Sequence, residues 1–287
     1  MEGMPCPVCQ SQFEPLYEIE RFSPPLEIMR CPSCGLQRQA RFPADLRALY
    51  GEEYYTGQAD YSYEDERRQE PYYGHVWRAR LRTIRRHVRP PAALLDVGCS
   101  FGGFVQAATR AGFTATGVDL SDYAVSEGRR RGRNLIHGDL ADVRGRYDVI
   151  TAIEVLEHLP DPAETASRLF ELLRPGGLVV LQTANFLGRQ AIKAGADYHY
   201  YLPGHLFYYS TYNLRLLLER HGFQQVQFYR GVDFGLLPKL LKMRGNFKTL
   251  TDYRRMIPTA LYHLKSRIAF GDFALTSSMV CYARKPR

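Results

Sequence analysis

No stretch of the sequence reaches the run of about 18 apolar residues that a membrane-spanning helix needs. The N-terminus also lacks the charged segment, apolar segment and cleavage site of a secretory signal. Internal repeats and low-complexity tracts are missing too, so nothing indicates a repeat protein. With 287 residues, 45% of them hydrophobic and 24% charged, the chain has room for one globular core and one or two small additions. We therefore expect a cytoplasmic protein.

Cysteine is scarce, yet four of the six cysteines form two Cys-x-x-Cys pairs, Cys6 with Cys9 and Cys31 with Cys34. The 21 residues between the pairs are one more than the usual range of about 15–20 in a zinc ribbon. Four thiolates suit a tetrahedral structural zinc ion, and so short a segment can scarcely fold on an apolar core alone. Two disulfides are the alternative, which a cytosolic chain disfavours. We predict a zinc ribbon over residues 1–40.

The remaining chain alternates strand-like and helix-like segments from Ala93 onward, which predicts a parallel sheet with crossover helices. We place strands near 93–97, 114–118, 134–136, 147–152, 177–183, 224–230 and 276–283. We place helices near 103–111, 121–131, 162–173 and 211–221, with residues 174–177 (Arg-Pro-Gly-Gly) as a helix stop.

A glycine-rich turn follows the first of these strands, at Asp96, Gly98, Ser100 and Gly102, and Asp119 ends the next strand. Such a turn lets a ligand approach the backbone, and an acid about 20 residues later can hold a ribose. The turn resembles the D-x-G-x-G-x-G loop of class I S-adenosylmethionine-dependent methyltransferases, although Ser100 stands where that family usually has glycine. Serine restricts positive φ, but we expect cofactor binding to survive the exchange.

The resemblance continues in order over about residues 90–230. It implies a doubly wound, seven-stranded, mostly parallel sheet of the Rossmann-like methyltransferase type. It also implies that S-adenosyl-L-methionine is the cofactor, bound by Asp96, Gly98, Ser100, Gly102, Asp119, Leu120, Asp139, Leu140 and Ile153.

The candidate catalytic residues follow the fourth and fifth strands: Glu154, Glu157, His158 and, later, His205. This set resembles the ubiquinone-pathway O-methyltransferases and the small-RNA 3′-terminal 2′-O-methyltransferases. The second resemblance implies that all four residues bind Mg²⁺ or another divalent ion, which would acidify an acceptor hydroxyl. Alternatively, His158 and His205 act directly as general bases with Glu154 beside them. A third interpretation is that the run only shapes the cofactor loop.

Two further segments have open roles. Residues 41–90 form a tyrosine-rich linker and a basic helix, in which the tyrosines either cover the cofactor as a lid or pack against the core. The tyrosines are Tyr50, Tyr54, Tyr55, Tyr61, Tyr63, Tyr72 and Tyr73. The methyltransferase domain, residues 91–287, contains a basic helical insertion at about 232–272 that could cap the active site, form a dimer face or contact a membrane surface. Oligomeric state stays open.

The favoured function is transfer of a methyl group to a small-molecule acceptor, at oxygen, in natural-product, sugar or lipid biosynthesis. A net charge of +8 also suits a nucleic-acid partner, so an RNA methyltransferase that uses the ribbon and basic tail is the alternative. Relatives with such a ribbon methylate carbon in nucleotide-linked sugars, which gives a further alternative. A non-catalytic binding module and a nicotinamide-dependent oxidoreductase are less favoured.

Overall fold

The computed structural model describes residues 4–43, 46–56 and 66–287. The predictions made for Tyr61 and Tyr63 therefore lie outside the described residues. Within the described ranges, no helix combines the length and the apolar character that crossing a bilayer would require.

Thirteen strands, nine α-helices and five short 3₁₀ helices make up the regular structure of the described residues. The strands are β1 (Glu14–Ile19), β2 (Leu26–Arg30), β3 (Gln37–Gln39), β4 (Ala93–Val97), β5 (Thr114–Asp119), β6 (Leu135–His137), β7 (Tyr147–Ile153), β8 (Leu173–Ala184), β9 (Phe207–Tyr208), β10 (Gln224–Arg230), β11 (Ala269–Phe270), β12 (Phe273–Ala274) and β13 (Ser278–Arg284). The helices are α1 (Glu52–Thr56), α2 (Glu66–His87), α3 (Gly103–Arg110), α4 (Asp122–Arg130), α5 (Pro162–Leu172), α6 (Arg189–Ala194), α7 (Thr211–Arg220), α8 (Leu236–Met243) and α9 (Met256–Lys265).

The predicted seven-stranded sheet is confirmed, with the order β10-β13-β8-β7-β4-β5-β6. Strands β4 to β8 pair in parallel, and β13 lies antiparallel between β8 and β10. The central strands read as continuous apolar runs because both of their faces are covered, and Leu94, Leu95, Val149 and Ile150 are fully buried. This order brings the carboxyl ends of β4, β5 and β7 together at one edge.

Residues 174–177, which the sequence predicts as a helix stop, are also part of strand β8. Helix α5 does end before them, at Leu172, but β8 begins immediately at Leu173 and includes the turn as an irregularity in its pairing with β7. Gly176 has φ +78, a left-handed conformation that favours glycine, and its N–H donates to the carbonyls of Lys285 and Pro286 at 3.1 and 3.0 Å. The C-terminal residues thus pair with this segment.

The N-terminal segment is joined to the main domain through a shared sheet. Strands β1, β2 and β3 form an antiparallel sheet whose last neighbour is β9, and Arg38 pairs with Phe207. Val8 and Leu36 belong to the same apolar cluster as Leu214 of α7. The division at residue 40 stays a prediction, but hydrogen bonds and apolar contacts cross it.

The predicted insertion contains α8, α9 and the small β11–β12 hairpin, and α8 packs against α2. Its large hydrophobic side chains are unusually exposed: Leu237, Leu250, Tyr253, Ile257, Leu261, Leu264, Ile268 and Phe270. The basic helix predicted before β4 is the C-terminal part of α2. Arg80 on this helix is buried, whereas Arg82, Arg85 and Arg86 are exposed.

Candidate active site

A cavity of about 760 Å³ lies at the carboxyl ends of β4, β5 and β7. This volume is within the range of about 300–1,000 Å³ that is usual for small-molecule sites. Eight of the nine predicted cofactor residues line it: Asp96, Gly98, Ser100, Asp119, Leu120, Asp139, Leu140 and Ile153. Gly102 does not line the cavity. It precedes α3 with φ +75, and a Cβ there would lie 2.7 Å from Leu135 Cδ2. Glycine is therefore needed here for the shape of the turn.

The glycine-rich turn keeps its tight shape despite the serine. Gly98 has φ +65, and a Cβ added there would lie 2.3 Å from Val155 Cγ2. Ser100 also adopts a left-handed conformation, with φ +52, which is uncommon for a residue other than glycine. The backbone N–H groups of Gly98 and Cys99 both donate to the carbonyl of Val118, at 2.8 and 3.1 Å, and hold the turn against β5.

Asp119 is buried beneath this turn. Its carboxylate accepts hydrogen bonds from the N–H groups of Ser100 (2.7 Å) and Ser121 (2.9 Å) and from the hydroxyl of Tyr55 (3.2 Å). Burial raises the pKa of Asp119, whereas these three donors lower it. A carboxylate has about four acceptor positions, so three donors leave room for another. Within the described part of the chain, the buried Ser100 hydroxyl has no hydrogen-bond partner. An open acceptor position beside an unused hydroxyl fits the ribose of a nucleoside cofactor.

Two other predicted acids are fixed by local hydrogen bonds. Asp96 Oδ1 accepts from the hydroxyl of Thr151 at 2.6 Å, across the pairing of β4 with β7. Asp139 Oδ1 accepts from the N–H of Ala141 at 2.8 Å. Both carboxylates therefore keep fixed orientations at the cavity wall.

The tyrosines of the linker cover the cavity and pack on one another. Tyr50, Tyr54, Tyr55 and Tyr73 line it. Ring centroids lie 5.1 Å apart for Tyr50 and Tyr54 and 5.0 Å apart for Tyr54 and Tyr55, edge to face. Tyr72 is exposed instead. The same side chains thus line the cavity and pack on one another, and their role as a lid stays a prediction.

Glu154 follows β7 at the cavity wall with φ +56, a strained conformation of the kind that collects at functional sites. Its Oε1 accepts from Gln182 Nε2 at 2.5 Å, and its Oε2 accepts from the hydroxyl of Tyr200 at 2.5 Å. Gln182 in turn accepts a hydrogen bond from Arg80, whose Nε lies 3.1 Å from Asp233 Oδ1. A series of hydrogen bonds thus links Glu154 to Asp233, at the start of the insertion.

Glu157, His158 and His205 form a compact cluster in which one ligand atom from each residue lies within 4.8 Å of the others. Of the four predicted divalent-ion ligands, the structure brings these three together, while Glu154 is held by Gln182 and Tyr200. His158 lines the cavity, but Glu157 and His205 lie behind it.

Both histidines of the cluster are oriented by backbone carbonyls. His158 Nδ1 lies 2.8 Å from the carbonyl of Gly204, and His205 Nδ1 lies 2.8 Å from that of Tyr200. A carbonyl can only accept, so Nδ1 carries the proton in each ring and Nε2 keeps a lone pair. In His158 the hydroxyl oxygen of Tyr50, 2.9 Å from Nδ1, is a second acceptor for that proton. Burial lowers the pKa of His158 to about 4 and that of His205 to about 3. Both imidazoles are therefore neutral at pH 7.

Glu157 is the buried acid of this cluster. Neither of its carboxylate oxygens makes a hydrogen bond of normal geometry with a described residue. Burial and the neighbouring Glu154 raise the pKa of Glu157 well above its ordinary value. An unsatisfied acid beside two neutral imidazoles fits a shared proton or a divalent ion.

The four cysteines of the N-terminal segment also converge, with their sulfur atoms within 4.8 Å of one another. The Sγ atoms of Cys6 and Cys34 are 3.5 Å apart and those of Cys9 and Cys31 are 3.3 Å apart, so no disulfide joins them. A tetrahedral site with Zn–S bonds of about 2.3 Å places sulfur atoms about 3.8 Å apart, close to these values. The residue after each second cysteine, Gln10 or Gly35, has positive φ, as two equivalent turns require.

Several residues that line the cavity could not be predicted from the sequence, because they belong to no recognisable motif. They are Trp77 and Arg80 on α2, Gln182 on β8, and Val232, Phe234, Lys239 and Lys242 in the insertion. The insertion therefore contributes to the cavity wall, and capping of the active site stays one of its three predicted roles.

Comparison with known proteins agrees with the geometry. Residues 66–227, more than half of the chain, match the family described as "Methyltransferase domain". The ubiquinone biosynthesis O-methyltransferase of Thiobacillus denitrificans is 35% identical over 134 residues, which are 42% of this chain and 57% of that protein. The enzyme of the same name from Nitrosospira multiformis is 33% identical over 132 residues, 42% and 55% of the two chains. The chain thus spans about half the length of these curated relatives.

Two solved structures share the fold. A phosphoethanolamine N-methyltransferase 2 from Haemonchus contortus, in complex with S-adenosyl-L-methionine, has a TM-score of 0.53 at 16% identity and covers 88% of this chain and 63% of its own. A methyltransferase from Archaeoglobus fulgidus has a TM-score of 0.53 at 17% identity over 76% of this chain and 97% of its own. The chain belongs to the methyltransferase-domain family and has the fold of the class I S-adenosylmethionine-dependent methyltransferases.

Proposed function

We propose that the protein transfers the methyl group of S-adenosyl-L-methionine to an oxygen atom of a small-molecule acceptor. The observation that carries this proposal is one cavity that joins the glycine-rich turn and Asp119 to Glu154 and His158. A site of this kind holds a nucleoside at one end and a reacting group at the other. Family membership supports the cofactor, and the names of the ubiquinone biosynthesis relatives favour oxygen as the methylated atom.

When bound, S-adenosylmethionine supplies a methyl group on a positively charged sulfur, which becomes a neutral thioether when an acceptor atom takes the methyl. The enzyme's residues must then align the acceptor, exclude water and accept its proton. The turn and Asp119 hold the nucleoside, and the tyrosine cover limits the access of water. Ile153 and Glu154, at the end of β7, border the space in which the acceptor meets the methyl group.

His158 is the best-placed proton acceptor, because it lines the cavity and is neutral with a lone pair on Nε2. Its depressed pKa of about 4 makes His158 a weak base. It would therefore take the proton as the bond between the acceptor oxygen and the methyl group forms, because the hydroxyl becomes more acidic at that stage. His205 packs against His158 edge to face, with ring centroids 4.7 Å apart, and has a supporting role.

A divalent ion held by Glu157, His158 and His205 is the second candidate for acceptor activation. Imidazole ligands whose Nδ1–H donates to a backbone carbonyl are typical of metal sites, and a carboxylate can complete the ligand set. Mg²⁺ or a similar ion there would lower the pKa of an acceptor hydroxyl. For the N-terminal segment, we propose that Cys6, Cys9, Cys31 and Cys34 bind a structural zinc ion, supported by their convergence and the two matched turns.

The test uses the full-length protein with methyl-labelled S-adenosylmethionine and an extract of the source cells. Label is counted in small polar, lipid, protein and RNA fractions. Label in the small polar or lipid fraction supports the proposal, and mass spectrometry then identifies the methylated atom. Label confined to RNA would favour the RNA alternative. An Asp119→Ala variant is the matched control, because label that persists there does not come from this site.

A further inference from the structure

Part of the cavity wall comes from α2 and the insertion rather than from the cofactor loops. Helix α2 contributes Tyr73, Val76 and Trp77, and the segment before α8 contributes Val232 and Phe234. These side chains form an apolar and aromatic slot. A Cβ on Gly103 would lie 2.1 Å from Cη2 of Trp77, so this ring bounds the slot on the side of the cofactor turn. The other four side chains line the space available to the acceptor.

Two lysines border the same slot. Lys239 and Lys242 lie one turn apart on α8, and both line the cavity. Lys242 Nζ lies 3.6 Å from the ring centroid of Tyr73, and Lys239 Nζ lies 5.4 Å from that of Tyr262. Aromatic faces stabilise an ammonium group without neutralising its charge.

The arginines that line the cavity differ from Lys239 because they already have oxygen partners. Arg80 pairs with Asp233, and Arg168 donates to Glu171 and to two backbone carbonyls. Arg144 also donates to backbone carbonyls. These arginines therefore stabilise the cavity wall.

Lys239 forms no ion pair with any residue in the described ranges. The carboxylate that acts on it across the cavity, Glu154, is already bonded to Gln182 and Tyr200. Placing an ammonium group in a half-buried wall without an anion is unfavourable. A ligand anion in the slot would satisfy it through a charge-assisted hydrogen bond.

We infer that the acceptor carries a negatively charged group, which Lys239 binds with Lys242 beside it, while its apolar body lies between α2 and Phe234. This inference rests on the proposed function, since it assigns the acceptor end of the same cavity. Carboxylate and phosphate share the chemistry that an ammonium group recognises, so both are tested.

Trp77 is the only tryptophan of the chain and lies between the slot and the cofactor turn, so its fluorescence reports on ligands in the cavity. The full chain, saturated with S-adenosylhomocysteine to fill the cofactor end, is titrated with benzoate, phenyl phosphate and uncharged benzamide. We expect at least one anion to bind saturably and about tenfold more tightly than benzamide, the effect of one charge-assisted hydrogen bond. Lys239→Met should remove this preference without changing benzamide binding. Lys265→Met, an exposed lysine on α9, should retain it.

Equal affinity for benzamide and both anions would overturn the inference, as would an anion preference that survives in Lys239→Met. The absence of any saturable signal would overturn it too. Calorimetry of S-adenosylhomocysteine binding tests the proposed function separately. If the cofactor product does not bind, the proposed function fails; if it binds normally and the anion preference is missing, only the assignment of the acceptor fails.

Discussion

The side-chain amide of Gln39 donates to the backbone carbonyl of His205 at 2.8 Å. The same nitrogen lies 2.9 and 3.0 Å from the carbonyls of Leu202 and Pro203, and the backbone N–H of Gln39 donates to Leu206. Gln39 is buried at the end of β3, in the segment that the cysteine cluster ties together. The N-terminal sheet therefore holds the loop that supplies His205 to the candidate active site.

We predict that Gln39→Met lowers turnover about tenfold to a hundredfold, because small misplacement of reacting groups has effects of that size. The affinity for S-adenosylhomocysteine should stay the same, since the side-chain amide and the backbone N–H of Gln39 both donate to the loop before β9. Gln12→Met, an exposed glutamine of the same segment, is the control. Equal losses of cofactor affinity and turnover would show general unfolding and contradict a positioning role.

Removal of zinc should lower turnover further than Gln39→Met does. We expect one zinc ion per chain by elemental analysis, and expect its removal to lower the melting temperature and to abolish turnover, because four unpaired thiols would no longer hold β1–β3 together. Cys31→Ser should behave like the metal-free protein. A Cys281→Ser variant, in the main sheet, should keep its zinc. Metal-free protein with unchanged melting and turnover would argue against a structural ion.

The strands and turns on one side of the cavity could be predicted from the sequence, but the wall formed by α2 and the insertion could not, for a physical reason. Strands such as β4 and β5 and turns such as 98–102 are set by local pattern and by glycine conformation, so one segment suffices to predict them. The slot around Lys239 arises because a late insertion packs on α2, and the hydrogen bonds of Gln39 join segments far apart in the chain. Periodicity carries no information on such contacts.

Asp119 should control cofactor affinity in a pH-dependent way. Asp119→Ala removes the acceptor of a ribose hydroxyl and should weaken binding of S-adenosylhomocysteine by about 1.5–3 kcal/mol, the range for one charged hydrogen bond. Burial raises the pKa of Asp119 above its ordinary 3.8, and the ribose needs the ionised form. Affinity should therefore stay constant at neutral pH and fall about tenfold per pH unit below the raised pKa.

Calorimetry at a series of pH values checks both statements. Tyr55 and His137 are the other titratable groups that act on Asp119, so Tyr55→Phe is a useful control, which should keep the acid-side decline. A decline of the same slope in Asp119→Ala would assign the titration to another group. Unchanged affinity in that variant would contradict the placement of the ribose.

The insertion should bring the protein to anionic membrane surfaces. Its exposed apolar side chains, such as Leu250, Ile257 and Phe270, occur among exposed cations, such as Arg254 and Lys265. We expect co-sedimentation with vesicles that contain phosphatidylglycerol but not with pure phosphatidylcholine vesicles, and expect added salt to release the protein. Leu250→Ser with Ile257→Ser should reduce binding. Salt-sensitive binding to RNA with no vesicle binding would assign the cations to nucleic acid instead.

The cluster of Glu157, His158 and His205 should bind Mn²⁺, because three ligand atoms already lie within 4.8 Å and both imidazoles are neutral. Titration followed by electron paramagnetic resonance should show one site per chain, lost in Glu157→Gln and retained in Glu14→Gln, an exposed glutamate. Turnover that stops when a chelator removes this ion, while zinc stays bound, would assign acceptor activation to the metal. Metal-independent turnover that is lost in His158→Gln would instead assign proton removal to His158, with Glu157 protonated beside it because burial raises its pKa.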